Sequence, residues 1–155
     1  MKQLNVLIID GQGGRIGRQL VEKIRASGIP AHITAVGTNS AATAAMLKGG
    51  ADQGATGENA VAVCSRSADV IVGPIGIVIA DAMLGEITES MAVAVGKSGA
   101  RKLLLPVNLC ANTVVGVPDV SISALLSSTV EHLKAMAEER CAHPAAAVDN
   151  GGNLC

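Results

Sequence analysis

The feature that most constrains this chain is an apolar run near its start that breaks into a glycine-rich turn. The run covers residues 4–9, the turn covers residues 10–17, and a helical pattern follows over residues 18–24. A strand, a tight loop and a helix in that order bring backbone N–H groups and the positive end of a helix to one point. The sequence therefore predicts a unit that binds a phosphate.

The glycines of this loop have the spacing Gly11-x-x-Gly14-x-x-Gly17, and the strict G-x-G-x-x-G pattern is not met because position 16 is Ile. We expect Gly11 and Gly13 to take positive φ values. Gly17 would let the helix pack close to its strand. The alternative is a tight turn that binds nothing. The residues predicted to contact a phosphate are Gly11, Gln12, Gly13, Gly14, Arg15, Ile16 and Gly17.

Composition argues against several other classes of function. The chain has 155 residues, a formal net charge of -1 and no Phe, Tyr or Trp. A chain with this charge and no basic cluster is not expected to bind nucleic acid, and it has no aromatic ring on which a base could stack. The length indicates one domain, whose core must be built from aliphatic side chains and Met.

No segment has the pattern of an export signal or a membrane span. The first apolar run is short and ends at Asp10, and the longest uncharged stretch in the middle, residues 70–80, is far below spanning length. The four cysteines show no C-x-x-C spacing. We therefore expect a cytoplasmic protein with reduced thiols and no membrane partner.

Beyond the first unit, apolar runs bounded by glycine and proline alternate with helical patterns. This alternation predicts an α/β fold, a single Rossmann-like doubly wound parallel sheet of about 5–6 strands with helices on both faces and the order 3-2-1-4-5. The domain would cover residues 1–141, and residues 142–155 would form a flexible tail. Further strands are predicted over residues 31–36, 53–56, 69–73, 101–107 and, at one edge, 113–117. Helices are predicted over residues 41–48, 60–67 and 89–98, and a last helix begins at Ser121 or Ser123 and runs to about Arg140.

The end of the second strand bears on the choice of ligand. In dinucleotide-binding folds an acidic residue there holds the ribose hydroxyls of NAD. Thr38 and Asn39 stand in that region instead, so we expect no strong selection between NAD and NADP, and a smaller phosphorylated ligand is equally open. Asn39 or Ser40 is also expected to be the N-cap of the next helix.

The end of the fourth strand is predicted to lie across a crevice from the glycine loop. A doubly wound sheet places this strand beside the first one, at the topological switch point where ligands bind. The candidate ligand contacts there are Gly73, Pro74, Ile75 and Gly76.

Two resemblances to known families follow from these motifs. Residues 11–20, GQGGRIGRQL, look like the opening of dihydrodipicolinate reductase and related NAD(P)-dependent enzymes, over roughly the first 25 residues. Over nearly its whole length the chain more closely resembles an uncharacterised bacterial family, a domain of unknown function. The segments that carry this second resemblance are IDGQGG (9–14), VGTN (36–39), GATGENA (54–60), GPIG (73–76) and MLGEIT (83–88). The second resemblance implies a fold and no reaction.

Asp10 stands immediately before the loop, where a carboxylate would repel a pyrophosphate. We expect it to accept hydrogen bonds from loop N–H groups, with a ligand hydroxyl or a hydrated metal as alternatives. The carboxylates available for a metal, Asp10, Asp81 and Glu86, are scattered in sequence. No metal site is predicted.

No acid–base or nucleophile pair has a telling spacing, so the sequence names no reaction. Two hypotheses remain: a small NAD(P)-dependent oxidoreductase of unknown substrate, and a non-catalytic module that senses a nucleotide or a phosphorylated metabolite. The polar residues whose roles stay open are Glu58, Asn59, Asp81, Glu86 and Asn108.

Self-association is predicted from two apolar segments, residues 75–84 and the striped final helix from Ile122 to Met136. If both were open on a monomer, they would form a patch larger than soluble monomers commonly expose. A homo-oligomer, most simply a two-fold dimer, would bury them. The alternative is that both segments pack on their own sheet.

Overall fold

The computed structural model describes residues 3–107 and 111–142. Five strands alternate with helices in this part of the chain, and one 3₁₀ turn, Ile75–Val78, follows the fourth strand. The elements in chain order are β1 Leu4–Asp10, α1 Arg15–Ser27, β2 Ala31–Gly37, α2 Ser40–Lys48, β3 Gln53–Thr56, α3 Glu58–Cys64, β4 Val70–Pro74, α4 Glu89–Lys97, β5 Arg101–Leu105 and α5 Ile122–Ala142.

The strands form one parallel sheet in the order β3-β2-β1-β4-β5. The fold is Rossmann-like, and the predicted strand order is confirmed. The central strand β1 pairs with β2 through Asp10 and Gly37, and with β4 through Ile8 and Val72. Because these strands are parallel, their carboxyl ends and the loops that follow them meet at one edge of the sheet.

Two apolar clusters cover the two faces of the sheet. One face packs against α1, α2 and α5, and the other against α3, α4 and the segment after β4. Neighbouring side chains of β1 alternate between the faces, with Ile8 in the first cluster and Leu7 and Ile9 in the second. Every side chain in both clusters is aliphatic or contains sulfur, as the composition requires.

The stripe of α5 packs on its own sheet. Leu126, Val130 and Leu133 are buried in the same cluster as α1. The buried part of this helix therefore follows the alternative, in which it packs on its own sheet.

The predicted strand over residues 113–117 is wrong. These residues form a turn in which the Val117 N–H donates to the Val114 carbonyl (3.3 Å), and Gly116 has a φ of 82°. Val115 is 92% exposed. The β-branched side chains of residues 113–117 favour a strand only where a neighbouring strand and a covered face are available.

The remaining helix boundaries differ from the predictions by a few residues, which is the usual uncertainty at helix ends. Asn108 and the predicted tail, apart from Ala142, lie outside the described residues. Within residues 3–107 and 111–142, every helix is too short or too polar to span a lipid bilayer.

A close approach between β4 and β1 depends on a glycine. A Cβ added at Gly73 would overlap the Ile9 carbonyl oxygen and lie 3.1 Å from Ile77 Cδ1. The first contact is with backbone of the central strand, which cannot shift without disturbing the sheet.

We expect Gly73→Ala to lower the free energy of unfolding by about 1–3 kcal/mol, the usual range for overpacking. Gly96→Ala is the matched control. Gly96 lies in α4, and a Cβ there meets nothing within 4 Å, so alanine should raise stability by about 0.5 kcal/mol through helix propensity. Chemical denaturation followed by circular dichroism measures both, and equal effects of the two substitutions would contradict the prediction.

Candidate functional site

In the loop between β1 and α1, the residues with a left-handed backbone conformation are not those that the sequence predicted. The Gly14 N–H donates to the Gly11 carbonyl (2.9 Å), and the left-handed residues of the turn are Gln12 (φ 48°) and Gly14 (φ 69°). The expected positive φ at Gly11 and Gly13 is therefore wrong. Glycine is needed at position 11 for lack of space, and at position 14 for both space and conformation.

The carboxylate of Asp10 faces into the loop and holds it closed. Its Oδ1 accepts from the Gly11 N–H (2.8 Å) and its Oδ2 from the Gly17 N–H (2.7 Å). This confirms the preferred interpretation of Asp10. Burial raises the pKa of the Asp10 carboxyl above its ordinary value, the two N–H groups oppose that rise, and the nearby Glu86 charge adds to it.

Two glycines let α1 start close to the neighbouring elements. A Cβ at Gly17 would lie 2.5 Å from Met46 Sδ and 2.9 Å from Asp10 Cβ. A Cβ at Gly14 would lie 2.6 Å from Ala42 Cα, which is backbone of α2. The close packing expected at Gly17 is confirmed.

Glu86 reaches the loop from the connection between β4 and α4. Its Oε2 accepts from the Gln12 N–H (2.7 Å), and its Oε1 accepts from Asn39 Nδ2 (2.7 Å). Asn39 Nδ2 also donates to the Gln12 carbonyl (2.9 Å), while Asn39 Oδ1 accepts from the Ala42 N–H (2.9 Å) as the N-cap of α2. The expected cap is confirmed, and the same side chain joins the end of β2 to the loop.

Thr38 lies against the other side of the loop. Its N–H donates to the Asp10 carbonyl (3.0 Å). Its Oγ1 is 2.7 Å from the position that a Cβ on Gly11 would take. That oxygen is buried and has no hydrogen-bond partner among the described residues.

The two glycine-rich strand ends converge as predicted, but a side chain fills the space between them. Met83 Sδ lies 2.8 Å from the Cβ position of Gly11, and Met83 Cε lies 3.6 Å from that of Gly76. Gly73, Pro74 and Gly76 are buried, and Ile75 is half-buried. Contact of these four residues with a ligand stays a prediction.

Three backbone donors of the loop point to no acceptor. Gly13, Arg15 and Ile16 have N–H groups without a hydrogen-bond partner in the described part of the chain. Arg15 and Ile16 begin α1, and Gly13 is exposed. Contact of these residues with a ligand stays a prediction.

Glu58, Asn59 and Asp81 are the other described residues whose roles the sequence leaves open. Glu58 and Asn59 are exposed in the first turn of α3, and Asp81 is exposed with a φ of 64°. Within residues 3–107 and 111–142, no three His, Cys, Asp or Glu side chains lie close enough to hold a metal ion.

Sequence reasoning left the role of Glu86 open and missed Met83. Both residues belong to the MLGEIT segment, residues 83–88, but nothing in their spacing relates them to the loop. A contact over 74 residues, such as that of Glu86 with Gln12, has no local signal in a single sequence.

Comparison with known proteins identifies the family. The model described as "Domain of unknown function (DUF3842)" matches residues 5–138, from β1 into α5. The chain belongs to this family. The near full-length resemblance to a domain of unknown function is thereby confirmed, and the DUF3842 match includes the loop, Asn39 and Glu86. A search of curated proteins finds no significant match.

The chain is similar to a solved structure of prephenate dehydrogenase from A. aeolicus in complex with hydroxyphenyl propionate and NAD+. The TM-score is 0.44 and the sequence identity is 17%. The similarity covers 86% of this chain and 58% of that one, so the chain spans little more than half the length of the dehydrogenase.

Asp10→Asn is expected to lower the free energy of unfolding by about 1–3 kcal/mol at neutral pH. The asparagine NH₂ cannot accept a hydrogen bond, so it leaves one of the two buried N–H groups unpaired. Removal of the buried charge recovers only part of this loss. The control is Glu58→Gln, an exposed carboxylate whose loss should change stability by less than about 0.5 kcal/mol. Denaturant titration measures both, and an Asp10→Asn variant as stable as the wild type would contradict the prediction.

Proposed function

We propose that the protein binds a nucleotide of the NAD(P) type, or another phosphorylated small molecule, at residues 11–17. The observation that carries this proposal is the set of unpartnered N–H groups of Gly13, Arg15 and Ile16 at the start of a 13-residue helix. Such groups, together with the helix dipole, favour an anion. They lie at the carboxyl edge of a parallel sheet, where its order reverses between β1 and β4.

The position of Asp10 removes the main objection to a phosphate at this loop. Both of its oxygens accept hydrogen bonds from N–H groups of the loop and the start of α1, so its charge is partly neutralised there. Arg15, which is exposed, adds a positive charge at the same helix terminus.

The oxidoreductase and the sensing module place different demands on Met83. A nicotinamide ring in the crevice between β1 and β4 would need the space that Met83 now fills between Gly11 and Gly76. This observation favours the second candidate, a module that binds the nucleotide without turning it over. An assay for oxidation of NADH or NADPH across a panel of substrates separates the two.

Gly13→Val tests the site without disturbing the fold. A Cβ at Gly13 meets nothing within 4 Å, and its φ is not left-handed, so the variant should keep wild-type stability. Bulk at this donor should weaken the binding of ADP, NAD or NADP at least about tenfold, or 1.4 kcal/mol, in calorimetry. Gly14→Val would be a poorer test, because its side chain would meet the backbone of Ala42.

The matched control is Gly99→Val. A Cβ at Gly99 also meets nothing within 4 Å, and this residue lies in the turn before β5, so binding should be unchanged. Failure of the wild type to bind any of the three nucleotides would contradict the proposal, and unchanged binding by Gly13→Val would place the ligand elsewhere.

We also propose a two-fold homodimer, although α5 no longer supports it. The support that remains is Leu84, which is 97% exposed in the segment after β4. Met83 and Leu84 both have left-handed φ values of 57°, an unfavourable conformation for large side chains. A second copy of the chain that covers Leu84 would compensate for this exposure.

Light scattering at micromolar concentration should give twice the chain mass of 15.5 kDa. Leu84→Asp should shift the mass to that of the monomer. Val63→Asp, at a side chain 48% exposed on α3, should leave it unchanged. A wild-type mass of 15.5 kDa would contradict the dimer.

A further inference from the structure

A carboxylate stands at the end of β2 although the sequence of that strand provides none. Glu86 belongs to the connection between β4 and α4, and its oxygens are bound by Asn39 Nδ2 and by the Gln12 N–H, each at 2.7 Å. Asn39 follows β2 by two residues. Glu86 therefore occupies the region in which a dinucleotide-binding fold holds the hydroxyls of the adenosine ribose.

We propose that Glu86 recognises the two adjacent hydroxyls of a ribose and excludes a 2′-phosphate, so that the site selects NAD over NADP. The inference rests on the proposed nucleotide binding at residues 11–17. It reverses the expectation from sequence, which found no acidic residue near Thr38 and Asn39 and so no basis for selection.

The carboxylate has acceptor capacity left for a ligand. An ionised carboxylate offers about four lone-pair sites, two on each oxygen. The Gln12 N–H takes one site on Oε2, and Asn39 Nδ2 takes one on Oε1. One site remains on each oxygen, and the side chain is partly exposed. Two neighbouring hydroxyls can therefore each donate to a separate oxygen of Glu86.

Neighbouring residues fix the position of this carboxylate before any ligand arrives. Glu86 lies between Met83, which is 7% exposed, and Ile87, which is fully buried. Its N–H donates to the Met83 carbonyl (3.2 Å), and the Ile87 N–H donates to the Ala82 carbonyl (3.1 Å). A group already held in its binding position loses little conformational entropy when it binds.

The side chain of Asn39 has no free hydrogen-bond donor for a 2′-phosphate. Asn39 Nδ2 has two hydrogens, and these donate to the Gln12 carbonyl and to Glu86. Its Oδ1 accepts from the Ala42 N–H. A 2′-phosphate would therefore meet an amide whose donors are engaged and a carboxylate of the same charge, which disfavours it.

The division of donors within the loop agrees with this assignment. Glu86 uses the Gln12 N–H, whereas Gly13, Arg15 and Ile16 keep unpartnered N–H groups. The ribose end and the phosphate end of a nucleotide would thus have separate partners. Glu86 and a bound phosphate would use different N–H groups of the loop.

Calorimetric titration of ADP, NAD and NADP against the full chain tests the inference. The wild type should bind NAD at least tenfold more tightly than NADP. Glu86→Gln should reduce this ratio at least fivefold, because the neutral amide no longer repels a 2′-phosphate and accepts fewer hydroxyls. The control Glu58→Gln should keep the wild-type ratio. If thermal denaturation shows that Glu86→Gln does not fold, Glu86→Asp takes its place with the same expected loss of selectivity, because its carboxylate is withdrawn from the ribose.

Equal affinities of the wild type for NAD and NADP would overturn the inference and leave the proposed nucleotide binding intact. A preference for NADP would also overturn it. A folded Glu86→Gln variant with the wild-type ratio would show that selection has another source and overturn it as well. Absence of binding for all three nucleotides would overturn the proposed function and this inference together.

Discussion

The buried carboxylate of Asp10 is the interaction on which the loop and its surroundings depend. Its two oxygens pull the N–H groups of Gly11 and Gly17 to one point, so the chain must reverse tightly between them. That reversal brings α1 against α2 and leaves no room for a side chain at Gly17. It also determines which N–H groups of the loop are left without a partner. The loop thus binds the carboxylate of Asp10, whereas the N–H groups of Gly13, Arg15 and Ile16 keep no hydrogen-bond partner among the described residues.

The fold could be predicted because its determinants are local and repeated. Unbroken apolar runs such as Val70–Pro74 indicate strands buried on both faces, and the glycine signals between them separate strands from helices. The order of the strands then follows from the general topology of such folds. The failure at residues 113–117 has the opposite cause: Val115 has strong β propensity, but only a neighbouring strand and a covered face turn that propensity into a strand.

Only the part of the site that follows β1 and β2 could be predicted from the sequence. The loop glycines and the cap at Asn39 are recognisable because each acts on residues next to it in the chain. Glu86 and Met83 act on residues far away in sequence, through a segment whose turn has left-handed φ values at Asp81, Met83 and Leu84. Its backbone path opposes local conformational preference. No propensity or spacing could have indicated that this segment returns to cover the loop, so the filled crevice and the carboxylate beside β2 needed the structure.

The two aliphatic clusters have a practical consequence for spectroscopy. Absorption and fluorescence of proteins in the near ultraviolet arise from aromatic side chains, and this chain contains none. The folded protein is therefore almost transparent where adenine absorbs and where reduced nicotinamide absorbs and emits. Any such signal in the purified protein would belong to a bound molecule, without the quenching or overlap that a tryptophan would introduce. Because the chain contains no aromatic side chain, the protein contributes almost no near-ultraviolet absorption or fluorescence, and the spectrum of a bound ligand could be recorded directly.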